Sequence, residues 1–116
     1  MIVKQSGTVR ADPVTMPGIK DTTIRWLISK FDSAPNFALR MFTIAPGGRI
    51  PLHDHPWEHE IFILSGSGTA FTDERRAKMA KGDAILVPGN EPHGYENDGS
   101  DDLVFLCIIP NSGDAR

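Results

Sequence analysis

The chain has 116 residues, 40% of them apolar, and a net charge of −3. That length suits one domain with one core, and positive residues form no stripe beyond Arg75-Arg76, which argues against a nucleic-acid surface. The single cysteine, Cys107, excludes an intrachain disulfide and suits a reducing compartment, the cytoplasm being the default; no apolar run reaches the length of a membrane span or a signal peptide.

Residues 1–21 hold Pro13, Pro17 and Gly18 and read as an irregular lead-in. Short apolar runs follow at Thr22–Ser29, Phe37–Ile44, Glu60–Leu64, Gly68–Phe71, Ala84–Val87 and Leu103–Ile109. In the first run Ile24, Trp26 and Ile28 share a face, the period-two pattern of a strand. Turn-forming clusters separate the runs: Ser33–Asn36, Ala45–Gly48, Ser65–Gly68, Lys81–Asp83 and Val87–Asn90. Asp73–Lys81 has helix-forming residues but lies between two strand-like stretches, so a hairpin with its tip at Asp73–Arg76 is expected. Short strands about ten residues apart predict an all-β sandwich or barrel, a single domain whose core spans residues 36–110.

All four histidines fall where one metal ion can use them: His53, His55 and His59 within seven residues, and His93 after a Pro-Gly-Asn turn. On an extended strand His53 and His55 point the same way, Pro56-Trp57 bends the chain, and His59 opens the next strand. Neutral imidazole is the commonest protein metal ligand, and it suits zinc, copper, iron and nickel alike.

The stretch Gly47-x5-His53-x-His55-x3-His59-Glu60-x5-Gly66 resembles the first cupin motif, and Gly82-x5-Pro88-x4-His93-x3-Asn97 resembles the second. The run Trp57–Phe62 (WEHEIF) is similar to that of small single-domain cupins binding manganese or iron through four histidines. The resemblance implies an antiparallel jelly-roll β-barrel and one divalent ion, manganese or iron, on His53, His55 and His93. The fourth ligand is His59 or Glu60, of which His59 is favoured because Glu60 would point to the opposite side of a regular strand. Asn90 stands where the second motif usually has a glycine.

Other residues are candidates for the pocket. Alternation puts Phe105 and Cys107 on one face, and Phe42 and Ile61 are expected beside them. Cys107 reads first as a small buried hydrophobe. Arg40 reads as an outward surface residue, with a pocket group for an anionic substrate as the alternative. Trp57 either walls the site or packs under the turn. Glu58 and Glu60 are candidates to hydrogen-bond the outer histidine nitrogens, and Asp54 is expected to face solvent. No nucleophilic triad or phosphate loop is visible.

The leading expectation is a metal-dependent oxygenase acting on a small organic substrate inside the barrel. The alternatives are a non-catalytic ligand-binding cupin and a Lewis-acid isomerase or hydrolase. A homodimer is expected, with Ile2–Gln5 and Thr22–Ser29 pairing across a two-fold axis.

Overall fold

The computed structural model describes Met1–Arg116. It contains β1 (Asp12–Pro13), β2 (Lys20–Ile28), β3 (Phe37–His53), β4 (His59–Ser65), β5 (Ser67–Phe71), β6 (Arg76–Ala80), β7 (Ala84–Val87), β8 (His93–Glu96) and β9 (Leu103–Pro110). Every pairing is antiparallel, in the order β6-β5-β8-β3-β9-β4-β7, with β2 also on β3 and β1 on β2. The sheet curls into the half-barrel of an all-β jelly roll.

Alternation builds the core. In β9, Leu103, Phe105, Cys107 and Ile109 are buried; in β4, His59, Ile61 and Ile63 are buried while Glu60, Phe62 and Leu64 are exposed. β9 runs between β3 and β4, so its inner face lies at the centre of a 13-residue apolar cluster. Each large apolar side chain so buried contributes about 1.5–3 kcal/mol.

The structure departs from the expected punctuation at Ala45–Gly48. β3 runs straight through this Pro-Gly-Gly segment for 17 residues. The register with β2 slips there, from Thr22 opposite Ile44 to Lys20 opposite Arg49, and Gly47 takes a φ of +82° that favours glycine. The backbone groups freed by the slip are not lost: Gly47 N–H donates to the Asn97 carbonyl, and Asn97 N–H donates to that of Gly48. The buried Asn97 side chain donates to the carbonyls of Ile44 and Asp101, pinning both segments.

Asp73–Lys81 forms no helix. β5 and β6 pair as a hairpin with Phe71 opposite Arg76, so its turn is residues 72–75, one residue earlier than expected. Ile2–Gln5 belongs to no strand, correcting the pairing edge expected there. β8 gave no strand signal because it is four residues long and contains Gly94; pairing with β3 on one side and β5 on the other holds it extended. The lead-in is anchored by β1 on β2, which lays residues 12–16 and Ile19 along the cavity described next.

Candidate metal centre

Strand register makes the first pair of histidines: His53 on β3 lies opposite His93 on β8. His55 follows where the chain leaves β3, and His59 opens β4 opposite Val87. Two loops must then lie against each other. Asn90 N–H donates to the His55 carbonyl at 2.8 Å, and Gly89 passes so close that a Cβ there would sit 2.4 Å from the Pro56 oxygen. Asn90 adopts φ +66°, a left-handed conformation asparagine tolerates, so the turn survives without the usual glycine.

Ligand atoms of His53, His55 and His93 lie within 4.8 Å of one another. His59 joins through His55, Nε2 to Nε2 at 2.6 Å. The outer nitrogens are all engaged. His53 Nδ1 meets the Pro51 carbonyl at 2.8 Å, His55 Nδ1 that of Trp57 at 3.1 Å, and His93 Nδ1 that of Glu91 at 2.8 Å. A carbonyl only accepts, so these three Nδ1 atoms carry the proton and each Nε2 presents a lone pair to the cluster. His93 Nε2 is buried without a partner.

His59 is wired differently. Its Nδ1 lies 2.9 Å from the Cys107 sulfur, which also receives an N–H from Arg40 at 2.9 Å. Without an ion, His59 Nε2–H can donate to His55 while the thiol donates to Nδ1. Moving the proton to Nδ1, with the sulfur accepting it, turns His59 Nε2 into a fourth inward lone pair.

Burial holds His93 down to about 4. Burial, aided by the Arg40 charge, holds His59 down to about 2. His55 is also lowered, chiefly by burial. These three imidazoles are therefore neutral at pH 7, the form that coordinates metal. Neutral lone pairs, an orphaned buried nitrogen and outer protons fixed by carbonyls fit a divalent ion, which the Nε2 atoms of His53, His55 and His93 would hold with His59 beside them.

The cluster opens on a cavity of about 620 Å³ whose lining includes Trp26, Arg40, Phe42, Trp57, Tyr95, Phe105 and Cys107. Trp57 stacks on His55 with centroids 4.4 Å apart and planes 4° from parallel, so it walls the site. Phe42 and Phe105 stack at 5.3 Å. Burial pushes the Cys107 thiol and the Tyr95 hydroxyl up, so both keep their protons at neutral pH.

Four expectations need correction. Arg40 is not an outward residue: it is 8% exposed and points into the cavity. Glu58 and Glu60 are exposed, and the outer histidine nitrogens turn to backbone carbonyls and Cys107 instead. Glu60 faces away because its neighbour His59 faces in. Ile61 packs in the core without reaching the cavity wall. Asp54 is exposed, as expected. Tyr95 was missed, although it stands two residues beyond His93 on the same strand and alternation puts both on one face.

The family model described as a cupin domain matches residues 40–109, most of the chain. The chain belongs to the cupin family. Among solved structures this cupin is similar to the polyketide cyclase RemF from Streptomyces resistomycificus. The identity is 37% and the TM-score 0.91, covering 96% of this chain and 80% of the cyclase. It is 32% identical to the oxalate-binding protein of Thermotoga maritima over 114 residues, 94% of this cupin and 93% of that protein. It is 29% identical over 83 residues, 71% of its own length, to gentisate 1,2-dioxygenase of Ralstonia sp, of which it spans 23%. Another curated relative is also longer, the match covering 46% of it.

Proposed function

We propose that this cupin is a metal-dependent enzyme that closes a ring in a small polycarbonyl substrate of polyketide type, with the ion held by His53, His55, His59 and His93. The observation that carries the reading is the donor set: neutral imidazoles without a carboxylate, set in a cavity walled by Trp26, Phe42, Trp57 and Phe105. The likeness to a polyketide cyclase over nearly the whole chain supports it. Such an ion, manganese or iron by family pattern, supplies Lewis acidity undiminished by ligand charge. In the reaction an enol carbon attacks a carbonyl carbon of the same chain; a carbon–carbon bond forms, the carbonyl oxygen takes a proton, and water leaves on aromatisation. The aromatic walls hold a flat substrate and exclude water. Tyr95, kept protonated by burial and without a hydrogen-bond partner, is placed on the lining to donate to a substrate oxygen.

Oxygenase chemistry at the same site is the second reading, favoured by the likeness to gentisate 1,2-dioxygenase. The test is incubation of metal-loaded protein with aromatic polycarbonyl compounds, with and without oxygen. Anaerobic loss of water under mass spectrometry supports ring closure. Oxygen uptake with oxygenated product establishes the second reading instead, and binding without conversion makes the protein a ligand carrier. A homodimer formed through the exposed apolar face of Phe62, Leu64 and Leu86 belongs to this reading; a dimer mass for the parent chain and a monomer mass for Phe62→Lys in light scattering would support it, and a monomeric parent would overturn it.

A further inference from the structure

We infer that the ligand of this cavity carries a carboxylate and that Arg40 is its specificity-determining counter-ion. The inference deepens the proposed function, on which it rests for the location of the substrate, by naming a substrate class.

A guanidinium removed from water is costly unless an anion and hydrogen bonds replace its hydration. Arg40 is 8% exposed, yet it belongs to none of the ion pairs of the chain. Its Nε is buried without a hydrogen-bond partner. One terminal nitrogen donates to the Cys107 sulfur at 2.9 Å, a weak acceptor. The guanidinium carbon lies 5.4 Å from the Trp26 ring and 4.9 Å from that of Phe42, contacts that soften the burial of a cation without neutralising it.

The other charged groups on the lining are accounted for. Asp12 is paired with Arg10 at 2.8 Å and Arg116 with Asp114 at 2.8 Å, while Asp54 is exposed. Arg40 is thus the cavity's buried cation without a counter-ion, beside aromatic faces that suit a flat ligand. A guanidinium fork matches a carboxylate with two parallel hydrogen bonds, and a carboxylate conjugated to an aromatic ring is flat.

The experiment is calorimetric titration of the full chain with 2-naphthoate and with its uncharged match 2-naphthamide, in metal-free and metal-loaded protein. The expected result is a preference for naphthoate of about tenfold or more in both states. Arg40→Met abolishes that preference, bringing naphthoate binding down to the level of naphthamide. Ligand-free R40M also melts at a higher temperature than the parent, because an uncompensated buried charge has been removed.

Absence of naphthoate binding up to about millimolar concentration, or a preference that survives R40M, overturns the inference. A preference that depends on the metal and not on Arg40 puts the carboxylate on the ion and overturns it as well. A lower melting temperature for R40M means that the contacts with Cys107, Trp26 and Phe42 already satisfy Arg40 within the chain, which likewise overturns it. Naphthoate bound through Arg40 by a chain that takes up no metal sinks the enzymatic reading while this inference stands.

Discussion

The histidine cluster and the Arg40–Tyr95 wall share one cavity but are finished to different degrees. In the cluster every outer nitrogen has a partner, three of them backbone carbonyls fixed by the fold. On the wall, Arg40 Nε and Tyr95 OH are buried and have none. A group whose far side is satisfied is held rigid and shows its free side to a small, fixed partner such as an ion. A buried donor left open costs stability until something from outside fills it. The first arrangement suits a resident group, the second a ligand that comes and goes.

Removing an inward donor should break this comparison hardest. His93→Ala is expected to weaken metal binding by roughly a hundredfold or more, since a coordination bond disappears outright. Elemental analysis after dialysis would check it; retention of one ion per chain would remove His93 from the ligand set. Cys107→Ala takes away the only outer partner of His59 and should weaken metal binding about 10–100-fold, with Cys107→Ser recovering much of it. An unchanged affinity in C107A would leave Cys107 as packing alone.

Acidity should separate the two regions next. Folded-state values for His55, His59 and His93 lie below that of an unfolded histidine, so the unfolded chain takes up protons first. Stability of the metal-free protein is therefore complete above the unfolded value near 6.5. It falls as pH drops from there to about 4, where folded His93 also protonates, and His59 extends the loss toward 2. The slope is at most about 1.4 kcal/mol per pH unit for each histidine. Urea midpoints at about pH 7.5 and about pH 5 would show it, and equal midpoints would mean that the cluster is solvated. Smallest of all is Glu60→Ala, expected to change metal affinity by no more than about twofold because the side chain faces solvent. Loss of the ion in E60A would reinstate the glutamate as a ligand.

Much of this arrangement was legible beforehand, and the misses have particular causes. β4 and β9 read cleanly because one face of each alternates with the other. Arg40 misled because both faces of Phe37–Ile44 are rich in apolar residues: Ala38, Phe42 and Ile44 accompany Arg40, while Phe37, Leu39 and Met41 take the other side. Alternation then says which residues travel together but not which set goes inside. Tyr95 was hidden because β8 is short and has weak strand propensity of its own.

The amino-acid order alone determined the strand-forming runs, the shared face of His53 and His55, and the opposition of His59 and Glu60, because period-two geometry is local. The tertiary structure alone decided that β3 turns Arg40 inward and sets it opposite Cys107. It also set His93 opposite His53 and laid the lead-in along the cavity. Those outcomes depend on register between strands far apart in the chain, and long-range pairing is chosen by the fit of the whole sheet rather than by any segment of it.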